Sequence, residues 1–267
     1  MDLIDYEQVQ FQEIRKGIID FLQQLSIVPI HVIPVSAALG ENVSMESKKM
    51  SWYDGPVFTN SLDRLKPVDR KERAPFRLPV QDVLIRNNCS IVLGRIESGS
   101  VERDQQLIVL PDEGTARVLE VMRYGEKRKV ARTGESIGLV LEYDNDIERG
   151  NVLVQQENLP VVSDHMKATI FWMYDGILSI GDDLIMQCST QSVSCSLQSI
   201  EKRIDSSTLD VIEENGTIIG ANEVGEVTFR LHKFIVFEPF SHIPELGRLV
   251  LRKQDTVYGA GIVNTLQ

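Results

Sequence analysis

The hydrophobic and polar positions change texture near residue 70. Ahead of it, Phe11, Ile14, Ile18, Phe21, Leu22 and Leu25 recur at helical spacing and predict an amphipathic helix that packs by one face. Asp5 and Gln8 have the spacing of a capping box at its start. Ile27 to Val35 is almost wholly apolar, which predicts a strand covered on both faces with His31 as a core histidine. A second helix is expected after Asp54-Gly55, with Pro56 in its first turn and Val57, Phe58, Leu62 and Leu65 buried. Helix, strand, loop and helix make the tail of an α/β domain, too small to own a sheet.

Residues Lys66 to Pro75 are charged and bounded by proline, the composition of an exposed linker. After them the helical period disappears. Short apolar or alternating runs recur between turn residues: Leu78 to Ile85, Ile91 to Ile96, Gln106 to Leu110, Ala116 to Met122, Ser136 to Leu141 and Val152 to Val154. The texture shifts again at Leu159-Pro160. A second set runs Met166 to Met173, Leu184 to Cys188, Val193 to Ile204, Glu223 to Leu231, Arg248 to Leu251 and Val257 to Val263. The expectation is a mainly β chain: an α/β remnant over 1–70, then two small antiparallel β-barrels in tandem over 71–158 and 159–267.

Composition narrows the classes. No run of the 267 residues approaches a membrane span, and the acidic first twenty residues are no signal peptide, so a cytoplasmic protein without a membrane partner is expected. Cys89, Cys188 and Cys195 lack C-x-x-C spacing and read as small buried hydrophobes. His165, His232 and His242 lack the spacing of metal ligands, so no metal site is predicted. A formal charge of -11 opposes general nucleic-acid binding but leaves room for a local basic patch. One candidate exists: Arg117, Arg123, Lys127, Arg128, Lys129 and Arg132 surround Gly125, where a hairpin would gather positive charge for an acidic partner or RNA. Pairing with Glu120, Glu126 and Glu135 is the favoured alternative. Arg95 and Glu97 read as a cross-strand pair on an outer face.

Several segments in order carry a family resemblance: Met1-Asp2, Val35-Ser36-Ala37-Ala38, Trp52-Tyr53-Asp54-Gly55-Pro56, Arg77-Leu78-Pro79-Val80-Gln81-Asp82-Val83 and Gly94-Arg95-Ile96-Glu97-Ser98-Gly99. Phe171-Trp172-Met173, Lys202-Arg203-Ile204-Asp205, Asn222-Glu223-Val224-Gly225 and Gly259-Ala260-Gly261-Ile262 continue the series. Together they resemble the carboxy-terminal two thirds of translation-factor-type GTPases such as elongation factor Tu. Within that group the Trp-Met, Arg-Ile-Asp and Asn-Glu-x-Gly pieces are most similar to the large subunit of bacterial heterodimeric sulfate adenylyltransferase. Leu246 to Arg252 is more similar to archaeal and eukaryotic elongation factors.

The resemblance implies that Asp2, Ser36 and Ala37 descend from a guanine pocket. The chemistry fits, since guanine needs a carboxylate to accept from N1-H and the exocyclic amine and a backbone N–H to donate to O6. It also implies a chain that starts in mid-domain. GTP hydrolysis needs a phosphate cradle, G-x-x-x-x-G-K-[ST]. Gly94 to Gly99, Gly176 to Gly181 and Gly220 to Gly225 have the glycine spacing, but Ser100, Asp182 and Glu226 follow where the lysine belongs. GTP and magnesium are therefore expected only of an intact parent, and this chain is expected to carry no cofactor and no catalysis of its own.

By resemblance, the parent would couple GTP hydrolysis to adenylylation of sulfate on a small catalytic subunit, its partner. The alternative is an elongation factor that grips aminoacyl-tRNA at the ribosome. A third is a free-standing β-barrel interaction protein.

Overall fold

The computed structural model describes residues 1–24, 27–65, 74–86, 89–143 and 146–264. The chain divides into two compact units, Met1–Asp69 and Arg70–Gln267.

The first unit has little regular structure. Helix α1 spans Gln8–Gln24 and α2 only Phe58–Asp63, with short 3-10 turns at Asp2–Ile4 and Lys48–Met50. Because α1 begins at Gln8, that residue sits in its first turn and the expected capping box with Asp5 does not form. Asp5 and Tyr6 are instead left-handed, with φ of 46° and 61°. The predicted strand from Ile27 to Val35 is also absent, and no strand pairs with it among the described residues. The chain bends at Ile30, and Val28 and Ile30 are 86% and 74% exposed. His31 is exposed rather than in a core. The second helix starts two residues later than expected and buries Val57 alone, leaving Phe58, Leu62 and Leu65 exposed. Leu25 lies outside the described residues, as does the side chain of Phe21.

Local polar contacts hold this unit together. The buried Asn42 amide donates to Pro34 O at 3.0 Å and its Oδ1 accepts from Ser47 N at 2.7 Å. Trp52 Nε1 donates to Tyr6 O at 3.1 Å while its ring meets Phe11 at a centroid distance of 5.3 Å.

The second unit is β. Its first half contains β1 (Arg77–Arg86), β2 (Cys89–Arg95), β3 (Ser100–Glu102), β4 (Gln106–Leu110), β5 (Gly114–Arg123), β6 (Glu126–Arg128), β7 (Val130–Arg132), β8 (Ser136–Tyr143) and β9 (Val152–Val154). The sheet order β4-β9-β1-β2-β8-β5 is closed by β4 against β5, giving a six-stranded barrel with β6 appended outside. Its second half contains β10 (Val161–Trp172), β11 (Leu178–Ser179), β12 (Asp183–Cys188), β13 (Gln191–Asp205), β14 (Val211–Glu214), β15 (Ile218–Ile219), β16 (Glu223–Phe237), a short helix α3 (Pro244–Gly247), β17 (Arg248–Lys253) and β18 (Thr256–Val263). Here β12-β17-β18-β10-β16-β13 closes through β12 and β13. Alternation fills each interior: β5 buries Gly114, Ala116 and Val118 and exposes Thr115, Arg117 and Leu119 between them. All pairings within both barrels are antiparallel.

The two barrels share a third core. Leu110, Val152 and Val154 of the first pack against Val236, Ile243 and Leu246 of the second. Beside this seam the guanidinium of Arg77, 2% exposed, donates from Nε and Nη2 to Glu238 Oε1 at 3.0 and 2.9 Å. It also donates to Phe76 O at 3.0 Å and to Asn158 O, so each nitrogen of the buried guanidinium has a partner.

Candidate functional site

The first unit brings Asp2 and Ser36 together. The Met1 amino group donates to Val35 O at 2.9 Å, which anchors the turn bearing Asp2 against the segment leading to Ser36. The Asp2 carboxyl is held below the usual carboxylate range, chiefly by the approach of the Ser36 hydroxyl. That approach falls short of a well-formed hydrogen bond, and the hydroxyl, 1% exposed, has no other partner. Ser36 N and O are both committed to Glu41 at 3.1 Å. Ala37 is exposed, and its N–H, like those of Ala38, Leu39 and Gly40, makes no backbone hydrogen bond among the described residues. The Asp2 carboxylate, exposed on its turn, can accept from donors on one edge of a polar ring, whereas the Ser36 hydroxyl is buried beneath it.

The predicted basic hairpin exists as β5 and β6, turning at Tyr124-Gly125. Its charge is spent internally. Arg123 pairs with Glu135 at 2.6 Å, Arg128 with Glu126 at 3.0 Å, Lys127 with Glu120, and Arg117 with Asp104 at 2.8 Å. Lys129 alone of Arg123, Lys127, Arg128 and Lys129 lacks an ion pair among the described residues. The tip presents Tyr124, 89% exposed, with the Arg123 guanidinium 5.3 Å from its ring centre. Arg95 and Glu97 lie on the same strand-to-turn segment, 3.9 Å apart, not across strands. Glu97 is mostly buried, and desolvation followed by repulsion from Glu245 raises its pKa.

Sequence reasoning missed a third place. A cleft of about 550 Å³ opens between the barrels, lined by Asp112, Arg149, Asn151, Thr190, Lys233 and Phe234 among others. Its floor is built by the Gln191 amide, which holds both N and O of Val236 at 2.8 and 2.6 Å. Thr190 Oγ1 is buried without a partner, Lys233 has no ion pair among the described residues, and Arg149 donates to Gln81 O at 2.7 Å. The register of β16 explains the exposure of Lys233 and Phe234. Ser163 pairs with Ile235 and His165 with Arg230, so four residues of β16 oppose one of β10; Leu231 stays in the core and His232, Lys233 and Phe234 face outward. Lys233 and Phe234 lie just past the predicted run Glu223 to Leu231, which gave no hint that the strand continues through a bulge.

His165 Nδ1 sits 2.8 Å from Asp164, whose pKa is lowered by that contact and by Arg230. No group of three or more metal-binding side chains occurs among the described residues. Cys188 and Cys195 are buried, their thiols pushed up to about 12 by desolvation, so they act as apolar filling; the side chain of Cys89 lies outside the described set.

Similar proteins decide the ancestry. The family described as GTP-eEF1A C-terminal domain-like matches residues 165–264. Elongation factor 1-alpha of Methanosarcina acetivorans is 30% identical over 268 residues, covering 98% of this chain and 64% of that protein. Elongation factor 1-alpha of Pyrococcus furiosus is 31% identical over 286 residues, covering 100% of this chain and 65% of that one. The chain is a relative of the translation-factor-type GTPases. It spans less than two thirds of the length of these curated relatives. The fold is shared with the crystal structure of sup35 complexed with GDP, at a TM-score of 0.71 and 22% identity over 98% of this chain and 66% of that one. Translation elongation factor SelB from Methanococcus maripaludis follows at a TM-score of 0.60 and 19% identity, over 78% and 46%.

In this translation-factor relative the three glycine stretches that mimic a phosphate loop all fall within the barrel unit. Gly99 and Gly181 adopt φ of +73° and +89°, where only glycine is unstrained, and serve as turns. No helix among the described residues is long and apolar enough to cross a membrane.

Proposed function

We propose that the chain is the carboxy-terminal body of an elongation-factor-type protein, whose paired barrels bind aminoacyl-tRNA or a partner of that shape. The observation that carries this is the inter-barrel cleft, where Lys233 and the orphan Thr190 hydroxyl sit beside the apolar seam that joins the barrels. The similarity to elongation factor 1-alpha favours this reading over the sulfate adenylyltransferase one, since neither relative named above is a sulfate enzyme. The acidic balance is compatible with it, because RNA contact would be confined to this one surface.

GTP and magnesium belong, on this reading, to the complete protein. Asp2, Ser36 and Ala37 would read the base edge of the nucleotide, and phosphates would need a cradle that the sequence lacks. The barrels therefore contribute docking and not hydrolysis.

Fluorescence anisotropy of labelled aminoacyl-tRNA tests the proposal. Binding should weaken about tenfold in Lys233→Glu and change little in Lys127→Gln, whose charge is already paired. Equal losses in both variants would move the contact to the hairpin. No binding by the unaltered chain at low salt would reject the reading.

A further inference from the structure

Strand β16 leaves its ladder for three residues. Ile235 pairs with Ser163 and Arg230 with His165 on one side, and pairing to β13 on the other side reaches Leu231 opposite Cys195, so His232, Lys233 and Phe234 have no partner strand among the described residues. Leu231 and Ile235, each 1% exposed, pin the two ends in the core, and only the three residues between them are free to shift. They wall two clefts at once: Lys233 and Phe234 line the one between the barrels and, with Asp164, Arg230 and His232, a second of about 370 Å³. Side chains close the mouth that the ladder leaves open. Asp164, the residue of β10 opposite the bulge, accepts from Arg230 Nη2 at 2.9 Å and sits 2.8 Å from His165 Nδ1. Arg230 Nη1 in turn lies 2.8 Å from His165 Nε2 and 3.1 Å from Nδ1.

A guanidinium only donates, so the ring nitrogen that meets Arg230 is bare. The hydrogens follow from that: Nδ1 carries the proton toward Asp164, and Nε2 accepts from Arg230. A second proton on the ring takes the acceptor away and sets two cations against each other. We propose that His165 is a proton-operated latch on this bulge, closed while the ring is neutral and opened when it is charged, so that pH sets the position of Lys233 and Phe234. Histidine is the side chain whose charge changes between about pH 5 and 8. Asp164 does not share that change, because the His165 hydrogen bond, and then the Arg230 charge, hold its carboxyl below the usual carboxylate range. The other charged or titratable groups on the surrounding strands are Lys167 farther along β10, His232 and Lys233 in the bulge, and Asp183, which lies beyond Ser196 on the rung of Arg230. None of these is hydrogen-bonded to the ring among the described residues. With Nε2 protonated, Arg230 keeps only Asp164 and turns toward the second cleft, and the bulge moves with it. The inference stands on β10 and β16 alone and holds whatever the cleft between the barrels binds.

Nuclear magnetic resonance of the full chain tests the latch. At about pH 8 the His165 ring nitrogens should show the tautomer protonated at Nδ1, and on acidification toward about pH 5 the backbone amides of Lys233 and Phe234 should shift with the same midpoint as that ring. His165→Gln, which takes up no proton, should abolish the shift; the His165 side chain is 43% exposed, so the fold tolerates the change. Arg230→Gln should uncouple the two, leaving a ring that titrates beside amides that stay still. His232→Gln should change neither. A ring protonated at Nε2 at the upper pH, amides that stay still in the unaltered chain or follow the His232 ring, or a shift that persists in His165→Gln or Arg230→Gln would overturn the proposal.

Discussion

Arg77 ties the two barrels through a single buried charge pair. Its partner Glu238 is also largely buried, so Arg77→Ala would strand a carboxylate and should cost about 3–5 kcal/mol in urea unfolding. Replacing both residues by Met and Leu should cost much less, because no uncompensated charge remains. Glu97 works in the opposite sense. Its pKa is raised, so its ionised form opposes folding, and the opposition grows as pH climbs from the unfolded toward the folded value. Glu97→Gln is therefore expected to raise Tm at neutral pH, and the gain should vanish in acid. Glu223 and Asp205 have lowered pKa values, from the Arg203 guanidinium and from backbone donors of Ser207 and Thr208 respectively. Their contribution is present above the usual carboxylate range and is lost as pH falls through the lowered values. A Tm profile below about pH 4 should fall more gently in Glu223→Gln.

At the scale of elements, strands with strong alternation or dense apolar runs were readable from the sequence. The predicted runs Gln106 to Leu110 and Val152 to Val154 coincide with β4 and β9. The segments that were not readable lack a private hydrophobic signal. The strand β6 is Glu-Lys-Arg and β14 is exposed throughout, so each is a strand only because a neighbour offers a pairing edge. The reverse holds for Ile27 to Val35, where apolar residues predict a strand and no partner supplies the ladder. Pairing inside the basic hairpin follows from the carboxylates interleaved with its cations, whereas the bulge before Ile235 lies past the predicted run Glu223 to Leu231. Close packing at α3 is equally invisible. A Cβ on Gly247 would fall 2.5 Å from Phe240 Cα, so Gly247→Ala should lower stability by about 1–3 kcal/mol and loosen the seam that Leu246 helps build.

For the whole molecule, the second unit is complete in the physical sense: two closed barrels, each with its own core, joined by a third. Closure removes the edge strands of both barrels and leaves only short appended ones. The first unit brings Asp2 to Ser36 and leaves Ile14, Ile18, Val28 and Ile30 exposed. On the proposed function, RNA docking falls to the barrels. The most direct measurement of the central claim is the salt dependence of aminoacyl-tRNA binding to the full chain, with no nucleotide added. The account predicts saturable binding at low salt whose log Kd rises linearly with log salt, with a slope corresponding to about two to four phosphate contacts, reduced by about one in Lys233→Glu. Binding that is absent at low salt, or whose slope is unchanged in Lys233→Glu, would contradict it.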